Sequence, residues 1–319
     1  MNWLPYNIRR EAAGTRIDWC DVPDRTLREP FFDQTIRRRI RDEGAETRTT
    51  SERALADLQP GDGSRFGGFI FHGSRCGSTL AARMLTAVPR FSVISEPLIL
   101  DSASELRDEI LGAFLGWAAG GGRALFVKFS ARAIVDPLPI APAPALFLYR
   151  DPLEVVVALG GKGERVPPGV GGLLDSSPET TARMRPAEFW SRVVGRQYEA
   201  AASRESLGFV NYEQLLADPA RCLRDALDLD LSPSELQAMR SATSRNAKAP
   251  SKPFADDRDL KRRAATRDVR AAVLRWAREP YERLEALRLV QGTTCSARPD
   301  SADSTRDTPS STPRSSACR

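Results

Sequence analysis

Between residues 66 and 212 the chain alternates short apolar runs with longer mixed stretches. Five runs stand out: FGGFIF from Phe66, FSVIS from Phe91, ALFVKF from Ala124, ALFLY from Ala145 and LGFVNY from Leu207. Each is too short for a helix and rich in aromatic and branched residues, the pattern of a strand buried on both faces. After the first run, Leu80, Met84, Leu85 and Val88 recur at helical spacing and Pro89 closes the helix. Farther on, AEFWSRVVGRQYEAAA places Phe189, Val193 and Val194 on one helical face, a core face rather than a cofactor site. Strands separated by helices predict an α/β domain: a parallel β-sheet of about five strands flanked by helices, with ligands at the carboxyl ends of the strands.

The pattern weakens on either side. Residues 1–64 read as a peripheral N-terminal segment packed on the core, with an aromatic stretch RIDWC, a helix around EPFFDQTIRRRIRD and a polar connector ending in QPGDG. The basic run from Arg37 to Arg41 is interrupted by Ile40 and followed by Asp42 and Glu43, which suits a solvated helix face better than a nucleic-acid patch. From Gly292 onward Ser, Thr, Pro and Arg dominate, so residues 291–319 are expected to be a disordered tail, leaving 65–290 for the α/β domain. No repeat of fixed period is visible.

Composition narrows the classes. The chain is 41% hydrophobic and 28% charged, ordinary for a globular protein. Its apolar runs fall far short of the roughly 20 residues that cross a bilayer, and MNWLPYNIRR has no hydrophobic signal core. A cytoplasmic location without a membrane partner is the expectation. Cys20, Cys76, Cys222, Cys295 and Cys318 show no CxxC spacing, so they read as free thiols rather than a disulfide or zinc framework. A net charge of +5 arises from 47 basic and 42 acidic residues that are interspersed, which points to a local anion site and not to nucleic acid.

The candidate for that site is the stretch Gly73, Ser74, Arg75, Cys76, Gly77, Ser78 and Thr79, between the first strand and its helix. Backbone N–H groups of a tight small-residue turn, joined by those at a helix start, form an anion nest. Gly77 lets the backbone approach a ligand closely. A nucleotide-phosphate loop of the GxxxxGK[ST] kind would need a lysine before Ser78, where Gly77 stands. A cysteine phosphatase would need Cys, five residues, then Arg, whereas the first arginine after Cys76 is Arg83, one position too far.

GSRCGSTL resembles the 5′-phosphosulfate loop of sulfotransferases, particularly the protein-tyrosine type and bacterial relatives with PRSGT or SRxGST. The resemblance spans roughly residues 66 to 216 and extends more weakly to about 288. ALFLYRDPLEVVVAL is similar to the family's 3′-phosphate motif, in which an arginine, here Arg150, grips the ribose 3′-phosphate of the donor. A planar guanidinium fork suits that task. The family's serine eight positions later is Ala158 here, a missing hydrogen bond of about 1.5–3 kcal/mol to a charged partner. LGFVNYEQLLADPARCLRDAL resembles the family's last strand and its following helices, with Tyr212 and Leu215 as scaffold and Asp218-Pro219 opening a helix.

The resemblance implies a P-loop NTPase-like sulfotransferase fold. It also implies transfer of a sulfuryl group from 3′-phosphoadenosine 5′-phosphosulfate to a hydroxyl or amine of a small-molecule or peptide acceptor, without a metal. The absence of a His/Cys/Asp cluster agrees. On this reading Arg75 steadies the leaving 5′-phosphate and the sulfuryl oxygens, helped by Ser78, Thr79 and Lys128. The base in many cytosolic sulfotransferases is a histidine two residues after that lysine; Ser130 stands there, and a hydroxyl is too weak a base. The protein-tyrosine type uses a glutamate after the second strand, which Glu96 matches. His72, the only histidine, sits before the turn and reads first as a packing or hydrogen-bonding residue, with a base as the rival role. A late basic segment offers Lys248, Ser251 and Lys252 to the 3′-phosphate, and the Gly/Pro-rich insert 160–186 is a candidate acceptor gate. Two other readings stand beside the enzyme: a degenerate sulfotransferase-like module that binds a nucleotide or partner, and an ATP-dependent P-loop phosphotransferase.

Overall fold

The computed structural model describes residues 2–25, 27, 29–56, 66–136, 143–160, 171–174, 176–244 and 256–295. Lys248, Ser251, Lys252, residues 161–170 of the insert and the tail from 296 lie outside the described residues.

The chain opens with an antiparallel hairpin, β1 (Trp3–Glu11) and β2 (Gly14–Asp21), to which β3 (Thr47–Ser51) adds across a helix at Phe32–Asp42. The helix matches the expected one, but the sheet does not follow from the apolar pattern. Its third strand, TRTTS, is nearly all exposed, and a polar strand looks like a connector. β2 supplies the buried side: Ile17, Trp19 and Cys20 enter one core cluster with Phe114 and Trp117 of the helix Arg107–Ala119. Trp117 donates its indole N–H to the carbonyl of Val22 at 3.0 Å, and Phe32 meets Phe114 with ring centroids 5.7 Å apart. The N-terminal segment is thus a small sheet built into the core.

Each of the five apolar runs is a strand: β4 (Phe66–His72), β5 (Phe91–Ser95), β6 (Ala124–Lys128), β7 (Ala145–Tyr149) and β8 (Leu207–Asn211). They form one all-parallel sheet in the order β5-β6-β4-β7-β8, flanked by helices, as in P-loop-like and other doubly wound folds. Along β4, Phe69 and Phe71 face the cluster that holds Phe189, Val193 and Val194 of the helix Pro186–Ala202. Ile70 faces the opposite cluster, with Met84 and Leu85 of the helix Ser78–Thr86 and Leu223 of the helix Pro219–Ala226. Burial on both faces explains why these strands read as unbroken apolar runs.

β8 is an edge strand, and a side chain closes its free edge. The carboxamide of Gln291 accepts from the N–H of Phe209 at 3.0 Å and donates to the carbonyl of Leu207 at 2.8 Å, as a neighbouring strand would. Gln291 lies on the helix Arg278–Cys295, which runs past the expected start of the tail. No helix among the described residues is long and apolar enough to cross a membrane.

Because Phe114 is fully buried on the helix Arg107–Ala119, which packs on β1 of one sheet and β6 of the other, Phe114→Ala should cost about 3–5 kcal/mol. Urea unfolding followed by tryptophan fluorescence and far-ultraviolet circular dichroism should give one coincident transition, shifted to lower urea in the variant.

Candidate active site

A parallel sheet brings all its carboxyl ends to one edge, and here each of the five ends in a polar side chain that is a candidate for function. In spatial order these are Glu96 after β5, Lys128 closing β6, His72 closing β4, Arg150 after β7 and Tyr212 after β8. The nest follows β4, in the middle of the row.

Gly73 fastens the loop by donating its N–H to Leu148 of β7 at 2.8 Å. Arg75 (φ +60°) and Gly77 (φ +88°) both adopt left-handed backbone, which turns the chain sharply into the helix Ser78–Thr86. A Cβ on Gly77 would lie 3.0 Å from both Leu215 and the Tyr212 ring, so this position lacks room as well as a permissive φ. No side chain caps the helix, and the backbone N–H groups of Gly77, Ser78 and Thr79 donate to no acceptor among the described residues. Neither the hydroxyls of Ser78 and Thr79 nor the guanidinium of Arg75 has a partner there. These unspent donors are what an anion needs. Cys76 contributes only its backbone: its side chain is fully buried, with Sγ donating to Gly73 O at 3.0 Å. Ser74 is half-buried at the turn.

On one side of the nest lies a buried charge cluster. Lys128 is 0% exposed, with Nζ 2.6 Å from Glu96 Oε1 and 5.3 Å from the Phe31 ring centroid, so it is not a strand-end lysine reaching water. His72 Nε2 lies 3.4 Å from the same Oε1, and Nδ1 lies 2.9 Å from Gly73 O. Glu96 holds a left-handed φ of +50° while donating its N–H to Lys128 O at 2.6 Å, a backbone strain of the kind stored at functional sites. Burial pushes the Glu96 carboxyl up, but His72 and Lys128 outweigh it and hold the group at about 2. Burial likewise opposes the charge of His72, yet Cys76 and Glu96 raise it to about 9. The peripheral segment reaches this cluster: Phe31 covers Lys128, and Asp33 Oδ2 accepts from Leu98 N at 3.1 Å, pinning the loop after Glu96. Ser130 donates to Asp101 at 2.9 Å and faces that carboxylate.

On the other side Arg150 is buried, with Nε donating to Glu154 at 2.6 Å and its Cζ 4.2 Å from the Tyr212 ring centroid. Its Nη2 meets Asp257 Oδ1 at 2.9 Å, and the other oxygen of Asp257 lies 2.7 Å from Lys261 Nζ. One carboxylate therefore bridges two cations. Burial and the positive neighbours Arg150 and Arg75 depress the Lys261 ammonium despite Asp257. Glu154 also meets Arg262 at 2.8 Å. Asp151 accepts from Leu153 N at 2.8 Å instead of pairing with Arg150. Ala158, on the same helix Pro152–Gly160, brings no polar group.

Asp257 and Lys261 were hidden in the charged run DDRDLKRR, where no single residue stands out. Tyr212 does more than scaffold, since its ring lies between Gly77 and Arg150. No group of three His, Cys, Asp or Glu side chains among the described residues could hold a metal ion. The chain matches no protein-family profile and no curated protein.

Gly77→Ala places a methyl group in left-handed backbone against Leu215 and Tyr212. It should destabilise the fold by about 1–3 kcal/mol, read as a lower midpoint in a thermal melt, whereas Gly160→Ala, with nothing within 4 Å, should not.

Proposed function

We propose that this chain is a sulfotransferase that uses 3′-phosphoadenosine 5′-phosphosulfate to sulfate a hydroxyl or amine of a small-molecule or peptide acceptor. The observation that carries the reading is a pair of separate anion sites on one sheet edge. One is the nest of unbonded N–H groups with Arg75; the other is the Arg150–Lys261 pair, where the Asp257 carboxylate already sits as an anion would. A nucleotide charged at both its 3′ and 5′ ends suits two sites, whereas ATP concentrates its charge at one end.

The donor supplies the sulfuryl group and departs as 3′-phosphoadenosine 5′-phosphate. The loop N–H groups, Arg75, Ser78 and Thr79 bind the 5′-phosphosulfate and take up the charge that grows on its bridging oxygen as the sulfur–oxygen bond breaks. Arg150 and Lys261 take the 3′-phosphate, for which Asp257 must yield. Lys128 exchanges Glu96 for the sulfuryl oxygens, and Glu96, relieved of one cation, becomes basic enough to accept the acceptor proton as the new oxygen–sulfur or nitrogen–sulfur bond forms. A binding module without turnover is the second reading. It is favoured by the Glu96 carboxyl, which His72 and Lys128 hold at about 2, low for a base.

Calorimetry in EDTA should detect binding of 3′-phosphoadenosine 5′-phosphate and none of ATP; the reverse pattern would remove the proposal. Asp257→Asn should strengthen 3′-phosphoadenosine 5′-phosphate about tenfold, the equivalent of one competing charge-assisted contact, and leave 5′-AMP unchanged. Conversion of the donor to 3′-phosphoadenosine 5′-phosphate, with the sulfur label carried onto a component of fractionated cell metabolites, separates an enzyme from a binding module.

A further inference from the structure

We propose that His72 is a positioning residue, an imidazolium clasp that ties the carbonyl of the donor loop to Glu96 and fixes which carboxylate oxygen faces the acceptor. The role rests on the sulfotransferase reading; the clasp itself rests on geometry. The ring lies between two acceptors, Gly73 O at 2.9 Å from Nδ1 and Glu96 Oε1 at 3.4 Å from Nε2. A neutral imidazole has one N–H, so one acceptor would face a lone pair. Only the doubly protonated ring turns a hydrogen toward both, as a hydrogen bond to Gly73 O and as an ion pair with Glu96.

Water cannot resolve the conflict, because His72 is 5% exposed and Nε2 is a buried atom without a hydrogen bond of good geometry. Among the described residues its oppositely charged partner is Glu96. The groups that face the ring are Glu96, which favours its charge, Lys128, which opposes it, and the Cys76 thiol, whose hydrogen is directed at the same Gly73 carbonyl.

The clasp has two chemical consequences. A ring that carries both protons cannot remove one from an acceptor, so His72 is not the base. His72 and Lys128 also converge on Oε1, which leaves Oε2 of Glu96 as the oxygen for the acceptor proton. When Lys128 turns to the sulfuryl oxygens, His72 alone holds the carboxylate in place, anchored to the first carbonyl of the donor loop.

His72 is the only histidine in the chain, so its ring signals in a nitrogen-15 correlated NMR spectrum of the untagged protein are unambiguous. At pH 7 both ring nitrogens should show the imidazolium pattern, with titration near pH 9. Since the folded pKa is raised above 6.5, the stability His72 contributes is complete below pH 6.5 and lost as pH rises through about 9. His72→Gln should remove that limb from a plot of stability against pH while changing the affinity for 3′-phosphoadenosine 5′-phosphate less than threefold, and should lower the transfer of labelled sulfuryl to acceptor at least thirtyfold. Glu96→Gln should drop the ring's pKa below 6.5; if that variant does not fold, the wild-type titration decides. A neutral single tautomer at pH 7 overturns the clasp, whether or not the nucleotide binds. A doubly protonated ring in a protein that ignores the nucleotide keeps the clasp and removes the donor reading, and unchanged transfer of labelled sulfuryl in His72→Gln overturns the positioning role.

Discussion

An ammonium group sealed from water has to be balanced, and Lys128 sets that demand at the end of a central strand. The carboxylate comes from the neighbouring edge strand, and it reaches inward because Glu96 accepts a left-handed backbone. His72, on the strand at the other side of Lys128, brings a second cation to the same oxygen. Three adjacent parallel strands thus end in one charge cluster. An apolar trio would fill the space at no electrostatic cost, so stability is a poor explanation for the cluster and chemistry is a better one.

Two tyrosines fix the distance between the anion sites. Tyr198 packs its ring against Gly73 and donates its hydroxyl to Arg150 O at 2.6 Å, while Tyr212 lies between Gly77 and the Arg150 guanidinium. Both glycines are places where a Cβ would strike the ring, at 3.0 Å in each case. The small residues of the loop therefore serve two ends: they free the N–H groups and they let aromatic side chains carry the spacing from the loop to Arg150. Glu154, beneath Arg150, takes its Nε and leaves the fork directed outward, to where Asp257 now sits.

The parallel sheet was legible because burial on both faces makes each strand an apolar run, and its edge was legible because the motifs sit where those runs end. The loop, Glu96, Lys128 and Arg150 all came from local pattern or resemblance, and they occupy one edge. The N-terminal sheet was not legible, since β3 is polar and exposed and β1 turns polar at IRRE. Asp257, Lys261, Phe31 and the engagement of His72 escaped for another reason. Asp257, Phe31 and His72 acquire their roles from partners that the fold brings near, at separations such as the 107 residues between Arg150 and Asp257, and Lys261, four residues after Asp257, is tied to Arg150 through that carboxylate.

The Gln291 carboxamide has a bearing on how this chain avoids itself. An uncovered β8 would offer a row of backbone donors and acceptors to any extended segment, including the same strand of another molecule. Because the guard is one amide on the helix Arg278–Cys295, the protection of this edge rests on an element that carries none of the candidate site residues. Shortening the chain to a point before Gln291 would leave every catalytic candidate in place and yet leave the Phe209 N–H and the Leu207 carbonyl of that edge without their side-chain cover.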